Sequence, residues 1–381
     1  MLSNMLKAYK YRMYPTTEQV KQIWQHIGTC RFLYNWSLEQ KIKAYQSENK
    51  SLNMYDLNMM IPELKKQFEW MGDTNSQSLQ AVNRNVETAF KNFFRRKADF
   101  PKFKSKKNPV QSFQVPQHYE VLQGDNKVKL PKIGIVKTIL HRTFVGLLKT
   151  ATVSATNTGK YYISVLVDDG LKKPEPAPFN SKTTIGIDVG LTSFLVTSTG
   201  DKVDNPRYLK NSLARLKHLQ QLVARKVKGS NNRKKAICKV AILHEQIANQ
   251  RSDFLHQHSY KYVSENQAIA VETLNITGML KNHCLARSIS DVGWSEFFRQ
   301  LEYKCNNFGK TILKIGRFEP SSKMCSICGT INHDLVLKDR AWTCESCSTT
   351  HDRDINAAIN IKKMALQEQN LLPSFGVGTT R

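Results

Sequence analysis

The sequence predicts a multidomain protein of mixed class, α/β plus β, and three observations carry that prediction. From residue 183 onward, short apolar strands alternate with amphipathic helices, the pattern of a mixed or parallel sheet covered on both faces. Between residues 109 and 168 the texture differs. Brief alternating stretches (SFQVPQ, KVKLPKIG, TVSATNTGKYYISVLV) are parted by Gly, Pro and Asn, as in a small β-barrel or curled sheet. Further on, Cys325, Cys328, Cys344 and Cys347 stand as C-x2-C-x15-C-x2-C, the spacing of a metal-clasped ribbon with little core of its own. A chain of 381 residues has room for two or three separate cores.

The first segment, LKAYKYRMYP, alternates Ala8, Tyr9, Tyr11 and Met13 with Lys7, Lys10 and Arg12, which predicts a strand with a basic exposed face. It has no partner nearby, so it is expected to join the later β region. Pro15-Thr16-Thr17-Glu18 opens a helix with a threonine cap and an acid in the first turn. Helical patterning continues through CRFLYNWSLEQKIKAYQ and, after a polar break, over residues 56–70. The clearest helix follows. Ser76 is its expected cap, Leu79, Val82, Val86, Phe90, Phe93 and Phe94 share one face, and Gln80, Asn83, Arg84, Glu87 and Lys91 lie opposite. It runs into RRKADFPKFKSKK, seven basic residues and one acid in thirteen, with Phe100 and Phe103 inside. Charge runs are usually solvated faces; the rings within this one point to a segment that tracks phosphates. TNTGK is a hairpin turn, and KKPEPAPFNSK a proline-rich linker.

Beyond the linker, TTIGIDVGLTSFLVTSTGDKV predicts two strands joined by a tight turn, with a second turn at Gly200-Asp201. Residues 206–258 predict a basic helical hairpin broken at KGSNNRKK. AIAVETL is expected to be a buried strand, WSEFFRQLEYKCNNFG an amphipathic helix stopped by Gly309, and TILKIG another buried strand.

Charge narrows the partners. With 57 Lys+Arg against 31 Asp+Glu, the formal charge of +26 works against a compact monomer unless a polyanion shares the field. Nucleic acid is the expected partner. No apolar run reaches roughly 18 residues, so no membrane span is expected, and no signal-peptide segment follows the start. In such a chain paired CxxC motifs mean zinc rather than disulfides. The single cysteines, Cys30, Cys238, Cys284 and Cys305, are expected to be small buried hydrophobes.

Buried strands seldom carry acids, because an unpaired carboxylate in a core is very costly. Two strands here do: Asp188 in IGIDVG and Glu272 in AVETL. Asp352 and Asp354 stand at the start of the last helix, where partial positive charge favours an anion. Singly, each has a plain explanation as a turn residue, an ion-pair partner or a cap. Together, two acids on neighbouring strands and one on a packing helix can share two divalent cations, which act on the attacking and leaving oxygens of a phosphodiester. Hard oxygen ligands favour magnesium, with manganese as a substitute.

IGIDVGLTSF, VETLNITGML and FEPSSKMCSICG followed by CESCSTTHDRDINAAINI resemble TnpB, the transposon-encoded RNA-guided nuclease family similar to the ancestors of type V CRISPR effectors. KAYKYRMYPTTEQ, RFLYNWSL, NFFRRKADFPKFKSKK and WSEFFRQLEYK extend the resemblance over nearly the whole chain. It implies a RuvC (RNase H-like) nuclease domain at residues 183–319 and 351–368 with a zinc ribbon inserted at 320–350. It further implies a wedge β-barrel made of 1–14 and 101–171, interrupted by a helical recognition lobe at 15–100. A linker spans 172–182, and a tail, 369–381, leaves no room for a further domain.

By the same resemblance Asp188, Glu272 and Asp354 are the catalytic triad and magnesium ligands, the acid before I-N-A-A selecting Asp354 over Asp352. Cys325, Cys328, Cys344 and Cys347 hold structural zinc, with His333 and His351 as nearby alternatives, and closing the clasp at Cys344 and Cys347 fixes where the Asp354 helix starts. The implied function is RNA-guided DNA cleavage in a prokaryotic cytoplasm, near the nucleoid, with a guide RNA from the transposon end and a double-stranded DNA target. In such systems the protein reads only a short flanking motif. Ser76, Gln77 and Gln80 are the candidates for that motif, since Gln and Ser suit base edges; Arg95, Arg96, Lys102, Lys104, Lys106 and Lys107 are candidates for nucleic-acid backbone. The alternatives are a nuclease-inactive RNA-guided repressor, against which the intact acids weigh, and a protein-directed recombinase on the same fold, which would not copurify with a specific RNA. One departure is visible: Ser348 follows the second CxxC, where many relatives have glycine, and this puts the local turn in question.

Overall fold

The computed structural model describes residues 4–317, 319–336 and 338–372. The start of the expected first strand, residues 1–3, and most of the expected tail, 373–381, lie outside them. The chain divides into two compact units between Lys172 and Lys173.

Unit one begins with β1 (Asn4–Tyr14), α1 (Thr17–Glu48), α2 (Met54–Met59), α3 (Ile61–Gln67), a 3-10 turn (Glu69–Asp73) and α4 (Ser76–Phe94). It continues with β2 (Val110–Val115), β3 (Glu120–Leu122), β4 (Lys127–Leu130), β5 (Gly134–Ile139), β6 (Leu147–Thr156) and β7 (Tyr161–Lys172). The strands form one antiparallel sheet in the order β2-β6-β7-β1-β5-β4-β3. The first strand does join the later β region. It lies at the sheet's centre, with Tyr9 opposite Val165 on β7 and residues 12–14 on β5. No ladder joins β2 to β3 among the described residues, so the sheet is open at those two ends. Tyr11 and Met13 of β1 share one core with Val153 and Val165 of the sheet and with Ile23, Leu33 and Leu79 of the helices.

Local chemistry sets the helix boundaries. Thr16 accepts from the Gln19 amide at 3.3 Å, and the Gln19 side chain accepts from the Thr16 amide at 3.1 Å, a reciprocal cap. The stretch over residues 56–70 is not one helix: Pro62 lacks the N–H that would continue α2, so the chain restarts as α3. The cap of α4 is Asn75, which accepts from the Gln77 amide. Ser76 sits one residue later, its hydroxyl accepting from Lys65 Nζ at 3.0 Å. Asn83, expected on the polar face, is buried. It accepts from the Ser37 hydroxyl at 2.7 Å and donates to Asn58 at 2.9 Å, so both ends of its amide are paired.

Unit two contains β8 (Thr184–Val189), β9 (Ser193–Thr197), β10 (Lys202–Asp204), α5 (Tyr208–Ala224), α6 (Asn231–Glu265) and β11 (Ala268–Glu272). There follow α7 (Ile276–Met279), α8 (Ala286–Val292), α9 (Trp294–Phe308), β12 (Thr311–Ile315), β13 (Ala341–Thr343), β14 (Thr350–Asp352) and α10 (Arg353–Glu368). The five-stranded sheet runs β10-β9-β8-β11-β12, with β8, β11 and β12 parallel and β9 and β10 antiparallel. Strand alternation divides its faces. Ile269 and Val271 of β11 pack with Leu255 of α6 and Phe297 of α9, whereas Ala268 and Ala270 pack with Ile361 and Ala365 of α10. This is an RNase H-like arrangement. β12, expected to be buried, is the edge strand, and its Lys314 is exposed. Gly309 ends α9 in the left-handed region, φ +62°, as a glycine stop should. Helix α5 has no cap of its own. Instead Asp291 of α8 accepts from the amides of Leu209 and Lys210 at 3.0 and 3.1 Å and pairs with Arg251 at 2.9 Å.

Candidate functional site

Strands β8 and β11 are apolar and buried until their last residues, where half-buried acids appear. Val271 lies opposite Ile187, so Asp188 and Glu272 are the next residues at the same end of neighbouring strands. What brings the third acid over them is a glycine. A Cβ on Gly186 would stand 2.1 Å from the Ala358 carbonyl oxygen and 2.8 Å from Lys362 Cβ, so α10 rests directly on the β8 backbone. Asp188 follows Gly186 by two residues and shares its face of the strand. Asp354 precedes Ala358 by one turn and shares its face of the helix. The two acids therefore meet at one end of the contact. Gly186→Ala is expected to push α10 off the strand and lower stability by about 1–3 kcal/mol, the usual cost of overpacking. Thermal denaturation of the variant checks this.

The electrostatics agree with that placement. Burial, then Asp354, then Glu272 push the Asp188 carboxyl up to about 7, while Arg353 and the Val189 amide oppose the shift. Glu272 is raised by burial. Arg340 approaches Asp354 at 3.6 Å and the Thr192 hydroxyl at 3.3 Å. Neighbouring carboxylates that raise the proton affinity of Asp188 between them are a donor set suited to hard divalent cations. Asp352 is differently employed. It caps α10, accepting from the amides of Asp354 and Ile355 at 3.1 Å each, and pairs with Lys202 at 2.6 Å.

The four ribbon thiols lie within 4.8 Å of one another, the one such metal-ligand group of His, Cys, Asp and Glu among the described residues. Cys325 is 3.6 Å from Cys347, and Cys328 is 3.5 Å from Cys344. Each CxxC forms the same turn. The Gly329 amide donates to Cys325 O at 3.0 Å, and the Ser348 amide to Cys344 O at 2.8 Å. Thr330 and Thr349 place hydroxyls 3.3 Å from Cys328 and Cys347. The Thr330 contact holds the Cys328 thiol down to about 6. Four such sulfurs fit tetrahedral zinc. His351 stands beside the cage, its Nε2 3.0 Å from Cys325 Sγ and its ring against Trp342, and His333 is not part of the ligand group.

Both turns need a left-handed residue after the second cysteine: Gly329 has φ +81° and Ser348 φ +58°. Ser348 thus holds a conformation that a Cβ disfavours. Ser348→Gly is expected to stabilise the ribbon by about 1 kcal/mol, measured as a higher chelator concentration needed to remove its metal.

The ribbon is tied to α10 by side chains that sequence patterning missed. Asn356 accepts from the Ser326 amide at 2.9 Å and donates to Met324 O at 2.8 Å. Asn360 donates to Ser321 O at 2.8 Å and Met324 O at 2.6 Å, and Lys363 donates to Ser326 O. Asn356 and Asn360 are fully buried. The signal was present in DINAAINI: two asparagines spaced one turn apart on the apolar face of a helix.

In unit one, Ser76 and Gln80 are exposed and Gln77 half-buried, all in the first turns of α4. Arg95, Arg96, Lys106 and Lys107 are exposed along the run that follows, and Lys102 lies 3.7 Å from Asp99. Lys104 is engaged elsewhere. Its ammonium lies 4.2 Å over the Tyr34 ring, its main chain is held by Asn35 at 2.7 and 3.0 Å, and burial lowers its pKa. No described helix is long and apolar enough to cross a membrane.

Residues 162–283 match a family described as a probable transposase of the OrfB, IS605 type, and residues 294–361 match the Cas12f1-like TNB domain. Residues 1–50 match a helix-turn-helix domain of the same OrfB group; the described residues there form one strand and a single unbroken helix. A Streptomyces pristinaespiralis protein named provisionally as an RNA-guided DNA endonuclease is 38% identical, over 95% of this chain and 90% of its own. An Escherichia coli K12 protein, named provisionally as the RNA-guided DNA endonuclease InsQ, is 31% identical over 93% of this chain and 91% of its own. Among solved structures, a chain of the cryo-EM Cas12f1-sgRNA-target DNA complex superposes with TM-score 0.61 at 14% identity, over 94% of this chain and 99% of that one, a likeness of fold. With identity of this degree along almost its full length, the chain belongs to the TnpB family of transposon-encoded nucleases.

Proposed function

We propose that the protein is an RNA-guided DNA endonuclease that hydrolyses phosphodiester bonds at a RuvC-type site formed by Asp188, Glu272 and Asp354. The observation that carries the reading is the contact of α10 with the bare backbone at Gly186, which sets Asp354 beside Asp188 at the open end of a mixed sheet. Two magnesium ions held by such carboxylates supply charge for the attacking and leaving oxygens of a phosphodiester. The chain's own contribution is to bring the three acids to the same end of the sheet, where cations can take the place of the proton that burial and its neighbours favour on Asp188. Arg340, reaching in from the ribbon, adds a fixed positive charge beside Asp354.

Zinc in the four-cysteine cage is structural in this reading, with no open position for chemistry. The sheet of unit one serves as the wedge and α1 to α4 as the recognition lobe, with Ser76, Gln77 and Gln80 at the DNA motif. Guide RNA derived from the transposon end supplies sequence choice by pairing with double-stranded target DNA, and the excess positive charge serves the backbones of both. The test is to purify the protein from cells carrying its own locus and to sequence the RNA that comes with it. One discrete RNA, part of which directs cleavage of a matching duplex, is the expected result. Protein that carries no discrete RNA, or that cuts without regard to it, would sink the reading in favour of a recombinase.

A further inference from the structure

Between the C-terminal ends of α1 and α4 lies a cavity of about 520 Å³, lined chiefly by Ile42, Tyr45, Leu52, Phe90, Phe94 and Phe100. Its mouth is made of rings that a water-soluble surface normally hides: Phe94 is 75% exposed, Tyr45 62% and Phe100 44%. The rings are ordered against one another. Phe100 stands edge-on to Phe90 and Phe93 at 5.5 and 5.3 Å, and Phe94 lies at 30° to Phe90 with centroids 6.3 Å apart and its outer side open. Arg95, Arg96 and Lys97 follow immediately and are exposed. The nearby acids are already committed, Glu87 to Lys91 and the Met54 amide, Asp99 to Lys102.

An occupant must satisfy both halves of this surface, a flat apolar face for the rings and negative charge for the rim. A nucleotide does both, since every base has a π-face and carries its phosphate beside it. A second copy of the chain does not, because the same Arg95, Arg96 and Lys97 would face their own kind. RNA splays unpaired bases from loops and ends before any target is bound, whereas target DNA arrives as a duplex and offers them only after the guide has opened it. We propose that this groove stacks an unpaired base of the guide RNA on Phe94, with Arg95, Arg96 and Lys97 on the flanking phosphates. The proposal rests on the RNA-guided reading and adds to it a site of its own.

The test measures, by fluorescence anisotropy, binding of a labelled ten-nucleotide uridine RNA and of an abasic strand of equal length and charge. The protein is the full chain stripped of RNA by high salt. Base-bearing RNA should bind roughly ten-fold tighter than the abasic strand. Phe94→Ala should erase that preference and Phe94→Trp should keep it, with abasic binding unchanged in both. Equal binding of the two strands by the unaltered protein overturns the proposal, as does an equal loss on both strands in Phe94→Ala. Dependence on Phe94 for an oligothymidine DNA alone would assign the groove to DNA and overturn it too. A dimer in sedimentation that Phe94→Ala dissociates, with RNA binding untouched, would give the groove to a second copy. If discrete RNA copurifies yet no base preference exists, the groove fails alone; if no discrete RNA copurifies, the functional reading fails first.

Discussion

Asp188→Ala, Glu272→Ala and Asp354→Ala should each lose target cleavage by orders of magnitude while binding guide RNA and target DNA within about two-fold of the unaltered protein. The asymmetry follows from where each energy comes from. Affinity is distributed over many cationic contacts and base pairs, none of which involves these acids. Rate depends on charge placed at the reacting oxygens, and in the proposed site each acid would hold part of it. Binding to DNA should even tighten slightly, since each change removes a negative group from beside a phosphate. Asp352→Ala is the control that separates the two neighbouring acids. It removes a helix cap worth about 1 kcal/mol and a half-exposed ion pair with Lys202, so its cleavage should fall far less. The assay is RNA-loaded protein with magnesium and a matched duplex, cleavage and binding read side by side. A dead Asp352→Ala beside an active Asp354→Ala would move the third ligand two residues back. Normal cutting by every variant would place the chemistry elsewhere.

Cys344→Ser should release one zinc per chain and reduce cleavage by at least roughly ten-fold, although Cys344 belongs to the ribbon and not to the acids. Cys344 is buried and 3.5 Å from Cys328, so its loss opens the cage from inside. The effect then travels by a short route. The first CxxC turn presents Met324 O and the Ser326 amide to Asn356, and Asn356 stands two residues after Asp354 on α10. A ribbon that no longer holds that turn leaves Asn356 and Asn360 buried without partners, which costs more than the bonds themselves. The start of α10, and with it Asp354, should loosen. Metal analysis of the pure protein and hydrogen exchange over the first turns of α10 measure the two ends of this chain. Zinc-free protein with full cleavage would refute it.

Much of the architecture is legible because it is local. The Thr16 cap, the Gly159 hairpin and the Gly309 stop each depend on one or two residues whose backbone needs are fixed by their own chemistry. The burial of β8 and β11 is legible as well, since only a doubly covered strand tolerates such an apolar run. The acids stand out against that background. What escaped is what depends on a distant partner. Asn83 looks like a surface residue until Ser37 and Asn58 are placed beside it. Ser76 and Asn75 are both good caps, and one residue of register decides between them. β12 is as apolar in sequence as a central strand, and only the sheet order makes it an edge. Gly186 gives no sign in sequence that α10 will lie against it.

The borrowed cap of α5 has a consequence for the order in which the chain can fold. The amides of Leu209 and Lys210 wait for a carboxylate 82 and 81 residues further on. At a synthesis rate of about 5–20 residues per second, Asp291 emerges some ~4–16 s after the turn it completes. During that interval the first turn of α5 has only water for its free amides, and Arg207, in the left-handed region at φ +50°, is held locally only through its own amide, which donates to Asn205 Oδ1 at 3.1 Å. The hairpin of α5 and α6 can close on its own apolar seam of Leu216, Leu243 and Ile247, but its root stays frayed until α8 is made. On the ribosome the long hairpin can therefore coil well before it is moored.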